Sequence, residues 1–68
     1  MKVGDMVMFI DEGRYAKWFF GRLAVVESST EKAPGEGACR VHWLEPVKYF
    51  DRHTSHSDFG WDKFEVIG

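Results

Sequence analysis

The sequence predicts an all-β protein, a single small barrel of about five short antiparallel strands. Several segments alternate between apolar and polar residues with a period of two, and Gly, Pro or Asp bounds each of them. Helical periodicity is weak throughout. The chain has 68 residues, which is enough for one domain, residues 1–68. Four or five short strands without a sizeable helix can close only as a small barrel. Residues 58–62 are expected to continue the sheet or to form one 3₁₀ turn.

The strands are predicted from runs of alternation that end at turn residues. A turn follows the first strand at Asp11–Gly13, and Gly21 marks a kink, a bulge or a close backbone approach within the second strand. Residues 28–37 are polar and rich in turn formers, so they are expected to form a flexible hairpin tip. The segment 51–57 is interpreted as a polar turn. The predicted strands cover residues 5–10, 19–27, 39–44, about 47–50 and 64–67.

The third strand has a defined inward face. Cys39, Val41 and Trp43 are predicted to point into the core, because the opposite phase would bury Arg40 and His42 together. This phase places Cys39 and His42 on opposite faces, so they do not form a nucleophile and base pair.

Composition and charge exclude several classes of function. Nine Lys/Arg against eleven Asp/Glu give a net charge of −2, with the two signs interspersed, so no polybasic patch is expected. Cys39 is the only cysteine, which fits a reducing compartment. Residues 1–6 do not resemble a signal peptide, and no apolar run approaches the ~20 residues of a membrane span. We therefore expect a cytoplasmic protein without a membrane partner.

Aromatic residues are the main candidates for a binding site. The chain carries three Trp, two Tyr and six Phe, more rings than so small a core can bury. Pro46 is expected to end the third strand or to confine it to an edge, and two rings follow it. Phe59 and Trp61 are expected to be structural and to plug the barrel end. The predicted binding residues are Tyr15, Trp18, Tyr49 and Phe50, with Arg14, Lys17 and Arg52 at their rim.

The order of these signals resembles the SH3-like small β-barrel superfamily, which includes Tudor, chromo-barrel and KOW-type domains. The resemblance rests on Lys2–Phe9, Gly21–Val25, Cys39–Trp43 and Phe64–Ile67, and it covers nearly the whole chain. It implies an aromatic cage for methylated lysine or arginine at the predicted rings. The segment from Leu44 onwards departs from the acidic, asparagine-bearing turn of many Tudor domains.

A second, more local resemblance is to subunit IV of photosystem I and to the variable subunit of ferredoxin–thioredoxin reductase. Val41–Trp43, Val47–Tyr49 and Asp58–Phe59 follow a similar order. These chains dock onto redox complexes and carry no cofactor. Small SH3-like accessory proteins of phages and mobile elements also have this size.

These observations predict a non-enzymatic module that binds a protein partner, as an accessory or inhibitory subunit of a larger complex. The alternative is a KOW- or Tudor-like nucleic-acid-binding barrel, because basic residues interleave with the rings. Burial of surplus rings against a second copy would give a homo-oligomer. No cofactor is expected. Asp51, His53, His56 and Asp58 are interpreted as ordinary turn residues, so no metal site is predicted.

Overall fold

Strands make up most of the chain, as the alternation predicts. The structure is a computed structural model that describes residues 2–33 and 36–68. The predicted fold class is confirmed, because five antiparallel strands form one sheet and a 3₁₀ turn lies near the C-terminus. The elements are β1 Met6–Phe9, the one-turn helix α1 Ala16–Phe19, β2 Leu23–Ala33, β3 Glu36–Tyr49, β4 Arg52–Gly60, the 3₁₀ turn Trp61–Lys63 and β5 Phe64–Val66.

The sheet curls until its two edges meet. Its strand order is β4-β3-β2-β1-β5, so β4 and β5 are the edge strands. Phe59 of β4 and Phe64 of β5 nevertheless lie 6.0 Å apart between ring centroids. Both rings also contact Phe9 of β1, at 4.9 Å and 5.5 Å. Side chains therefore close the barrel where backbone pairing does not.

The core fills the inside of the curled sheet. In β3 the predicted phase is confirmed, since Arg40 and His42 are exposed while the residues between and beside them are buried. The indole of Trp43 is 1% exposed and donates a hydrogen bond to Ser57 Oγ at 2.9 Å. The buried core consists of Val7, Phe9, Phe19, Ala24, Val26, Cys39, Val41, Trp43, Val47 and Phe64.

Helix α1 replaces the predicted start of the second strand, which begins only at Leu23. The Phe20 amide donates to the Ala16 carbonyl at 2.9 Å and closes the helical turn. Gly21 then adopts φ +79°, a conformation that ends helices and favours glycine. Its amide donates to the Phe9 carbonyl at 2.9 Å. Gly21 thus ends a helical turn instead of bending a strand.

Pro46 does not end the third strand, because β3 continues through it to Tyr49. The pairs of β3 with β2 end at Trp43, and the pairs with β4 are interrupted between His42 and Val47. Proline has no backbone N–H to contribute to a ladder. Pro46 therefore lies where the pairing with both neighbouring strands is interrupted and no ladder donor is needed. The alternative prediction, that Pro46 confines the third strand to an edge, is also wrong, because β3 lies between β4 and β2.

Most of the polar segment 51–57 is part of a strand and not a turn, and only Asp51 lies in a turn. Residues 52–57 belong to β4, an edge strand whose outer face is exposed, and polar residues are common there. Most of the predicted 28–37 tip is also paired, up to Ala33 and Glu36, and residues 34 and 35 lie outside the described part of the chain. Within that part, no helix is long and apolar enough to cross a membrane.

Candidate functional site

The four predicted rings lie together and form what we call the aromatic surface: Tyr15, Trp18, Tyr49 and Phe50. Trp18 is central, with its centroid 4.8 Å from that of Tyr49 and 4.9 Å from that of Phe50. Tyr49 lies 4.5 Å from Phe50 and 6.2 Å from Tyr15. Two distant segments of the chain therefore build one continuous group of rings.

Phe19 anchors this surface to the core. Its ring is 2% exposed and stacks on Trp43, with a centroid distance of 5.0 Å and an interplanar angle of 22°. It also contacts Tyr49 at 5.5 Å. Because α1 carries both Phe19 and Trp18, burial of the first ring fixes the position of the second. The sequence does not predict this role, since its alternation places Phe19 in a strand.

The rings of the aromatic surface differ in exposure. Tyr15, Trp18 and Tyr49 are half-buried and pack against the core, so they also cover it. Phe50 is 64% exposed. It is therefore the ring that a partner can reach most fully.

The backbone of Phe50 adopts a conformation that aromatic residues rarely take. Phe50 and Asp51 form a two-residue turn between the paired residues Tyr49 and Arg52. Phe50 has φ +56° and is the one described non-glycine residue with positive φ. Positive φ at the first turn residue, Phe50, and not at the second, Asp51, matches a type II′ turn, whose first position favours glycine. Such a conformation costs on the order of 1–3 kcal/mol and tends to occur at functional sites.

Two pockets open to solvent flank Tyr49. Residues 49–54 line the first, so the predicted rim residue Arg52 borders it. The second lies between Tyr15, Tyr49 and Phe59, with Ser57 and Asp58 at its polar side. The surface therefore has recesses for side chains as well as an exposed ring.

Basic side chains occupy ring faces of the aromatic surface. Lys17 Nζ lies 4.4 Å from the Trp18 ring centroid, and the Arg14 guanidinium carbon lies 5.7 Å from that of Tyr15. These distances are typical of cation–π contacts. A cationic ligand would have to displace these side chains from the ring faces.

Phe59 and Trp61 pack against the core, which confirms their predicted structural placement. Phe59 contacts Phe9 and Phe64, so it helps to close the barrel. Trp61 is half-buried, and its buried Nε1 has no hydrogen-bond partner among the described residues.

The thiol of Cys39 is 2% exposed, and burial raises its pKa, with a further contribution from the charge of Asp58. Cys39 and His42 lie on opposite faces, as predicted. Arg40 and Asp58 form an ion pair at 2.9 Å across β3 and β4, and the hydrogen bond from Arg40 lowers the pKa of Asp58. These groups show no arrangement for nucleophilic chemistry within the described residues.

Two features of the outer surface are not predicted by the sequence. Leu23 and Leu44 are exposed and line one pocket together with Gly21, Arg22 and Glu45. Glu27, His42 and His56 converge from three strands. Cross-strand register brings both groups together, and the linear sequence does not display it.

Comparison with known proteins gives no match: no protein-family model, curated protein or solved structure matches this chain.

Proposed function

We propose that this protein is a non-enzymatic SH3-like interaction module that binds a protein partner through the aromatic surface, as an accessory or inhibitory subunit of a larger complex. The order of the five strands and the curled sheet support the SH3-like assignment. Phe50 is the observation that carries the binding proposal.

Ring contacts with Trp18 and Tyr49 offset only part of the cost of a phenylalanine at position 50. Glycine would relieve the positive φ, and a polar residue would suit a site that is 64% exposed. The strain and the exposed ring both act against stability or solubility in the free protein. Burial of the ring against a partner would offset both costs, as is common for aromatic hot spots.

The basic side chains on and beside the rings favour an acidic, apolar segment as the ligand. Arg14 and Lys17 lie on ring faces, and Arg52 borders the pocket beside Tyr49. An apolar side chain would enter a recess beside Tyr49, while Asp or Glu residues next to it would meet the basic rim. A methylated lysine would meet cations instead.

The second candidate is a single-stranded nucleic acid, and the basic rim beside an exposed ring is the observation that favours it. Stacking of successive bases requires several open ring faces. Trp18 shares a face with Lys17, and Tyr15, Trp18 and Tyr49 are half-buried. Phe50 is therefore the one ring of the aromatic surface that is mostly exposed. The net charge of −2 adds no general attraction to phosphate. A protein ligand therefore fits better.

A peptide library displayed on phage tests the proposal directly. Immobilised protein should enrich peptides that combine a large apolar residue with flanking Asp or Glu. Phe50→Asn should abolish the enrichment, because asparagine tolerates the turn conformation and removes the ring. The matched control is Leu44→Asn, which removes an exposed apolar side chain elsewhere and should leave the enrichment intact.

A titration with single-stranded oligonucleotides separates the two candidates. Peptide binding should weaken modestly between low and physiological salt, whereas phosphate-driven binding falls steeply. Peptides that bind Phe50→Asn as well as the wild type would overturn the proposal. Tight, strongly salt-dependent oligonucleotide binding without peptide enrichment would favour the nucleic-acid candidate.

A further inference from the structure

Three potential metal ligands meet on the outer face of the sheet. Oε1 of Glu27 lies 3.0 Å from Nδ1 of His42 and 2.9 Å from Nε2 of His56. The two ring nitrogens are 3.2 Å apart. All three side chains are exposed, so an ion from solvent can reach the atoms between them.

The strand register produces this convergence. His42 of β3 and His56 of β4 are directly paired across the two strands. In the β2–β3 ladder Val26 pairs with Val41 and Ser28 with Arg40, which leaves Glu27 as the extra residue of a β-bulge. Bulges redirect side chains at functional sites.

Hydrogen bonds alone cannot satisfy these three contacts. An ionised Glu27 carboxylate only accepts, and each facing ring nitrogen either donates or accepts. If both nitrogens carry protons, two donors oppose each other between His42 and His56. If either nitrogen lacks its proton, its lone pair faces the Glu27 oxygen. In every case, therefore, one of the three contacts places two donors or two acceptors opposite each other. A cation between the three atoms would remove this repulsion.

We propose that Glu27, His42 and His56 form a binding site for a divalent transition-metal ion of the zinc class. Zinc binds imidazole nitrogen and carboxylate oxygen at about 2.0–2.1 Å with tetrahedral geometry, which places ligand atoms about 3.3–3.4 Å apart. The observed separations of 2.9–3.2 Å need to widen only slightly. Two imidazoles favour zinc, copper or nickel over magnesium or calcium.

A neighbouring hydroxyl supports the orientation of one ligand. Ser55 Oγ lies 2.8 Å from Nδ1 of His56, the ring nitrogen that faces away from the cluster. With Nε2 bound to a metal, Nδ1–H would donate to this hydroxyl, and metal-bound histidines almost always donate their other ring N–H to an oxygen acceptor. The guanidinium of Arg40 is engaged by Asp58, so it leaves the Glu27 carboxylate to the histidines.

The bound ion would connect three consecutive strands, because one ligand comes from each of β2, β3 and β4. Its fourth coordination position would be open to water. A chain of this size with a single cysteine has no intrachain disulfide, and a metal is a usual supplement to a small core. The site is separate from the aromatic surface, so it does not depend on the proposed function.

Titration of chelator-treated protein with zinc chloride tests this site. Zinc should bind one ion per chain and raise the melting temperature with increasing concentration, whereas magnesium chloride should not. Ser55→Ala should weaken zinc binding about tenfold. Glu27→Gln, His42→Ala and His56→Ala should each weaken it more. The matched control His53→Ala, which changes the β4 histidine paired with Lys48, should bind like the wild type.

Imidazole NMR of the unsubstituted protein gives a second measurement that does not require a folded variant. Zinc should shift the ring resonances of His42 and His56 and leave those of His53 in place. The proposal is overturned if zinc does not bind the wild type, if it perturbs His53 in place of the other two, or if folded His42→Ala and His56→Ala variants bind as tightly as the wild type.

Discussion

Trp18 and Phe50 lie against each other with ring centroids 4.9 Å apart, and this contact joins helix α1 to the β3–β4 turn. Phe50 makes the contact from a backbone with φ +56°. Contacts with Trp18 and Tyr49 therefore offset part of the backbone strain, since such ring pairs contribute about 0.5–1.5 kcal/mol each. The turn combines a local cost with a favourable long-range contact.

A comparison of glycine with alanine at position 50 isolates the backbone strain from the ring contacts. Both variants lose the ring, but only Phe50→Ala keeps a Cβ at positive φ. Phe50→Gly should therefore be more stable than Phe50→Ala by about 1 kcal/mol, measured by denaturant unfolding. Equal stabilities would show that the turn dihedral carries no strain, and would weaken the functional argument based on it.

The face of Trp18 provides a test against a methyl-lysine cage. Lys17 Nζ lies 4.4 Å from the Trp18 ring centroid, so a trimethyllysine would compete with it. We expect the wild type to bind trimethylated and unmodified lysine peptides equally weakly in fluorescence anisotropy. Lys17→Glu should favour the trimethylated peptide, because it frees the ring face and lowers the positive charge. A wild-type preference of about tenfold or more would identify a Tudor-type cage instead.

The sequence predicted the fold class and the inward face of β3 because both depend on local alternation. Buried Val41 and Trp43 alternate with exposed Arg40 and His42, and no tertiary information is needed to read that pattern. Helix α1 could not be read in this way. Its single turn is held by Phe19 stacking on Trp43 and by the hydrogen bond from Gly21 to Phe9, both of which are long-range contacts.

The two candidate sites also differ in whether local sequence patterns or long-range contacts define them. The rings that follow Pro46 are visible in the sequence, so the residues of the aromatic surface could be predicted. The cluster of Glu27, His42 and His56 depends on register and on a bulge. Spacing within the sequence groups His53 with His56, but residues an odd number apart on β4 point to opposite faces, and each pairs with a different residue of β3. Register between strands cannot be read from spacing within one strand.

Two tryptophans should respond differently to the same substitution. Trp43 is 1% exposed, stacks on Phe19 and donates to Ser57, so Trp43→Phe removes buried area and a satisfied hydrogen bond. Trp61→Phe removes a buried indole N–H that has no partner among the described residues. Relief of this unsatisfied donor should offset part of the stability that is lost with the buried area of the ring. Denaturant unfolding should therefore show Trp43→Phe to be less stable than Trp61→Phe by about 1–3 kcal/mol. Equal losses would mean that Nε1 of Trp61 is satisfied in solution.

Cys39 should make stability fall at alkaline pH. Burial, followed by the charge of Asp58, raises the pKa of its thiol above the ordinary value of 9.0. The unfolded chain therefore ionises first, and the stability linked to this group is fully present below pH 9.0 and lost as the pH rises towards the raised pKa. Each pH unit in that window costs at most about 1.4 kcal/mol.

The measurement is denaturant unfolding of wild type and Cys39→Ala at a series of pH values. Other groups titrate alike in both proteins, so the difference in slope isolates the thiol, whatever constant loss the substitution itself causes. The wild type should lose stability more steeply above about pH 9. The buried, protonated thiol should also react slowly with iodoacetamide until denaturant unfolds the chain. Parallel pH profiles together with rapid alkylation of the native protein would show that Cys39 is accessible and would contradict its placement in the core.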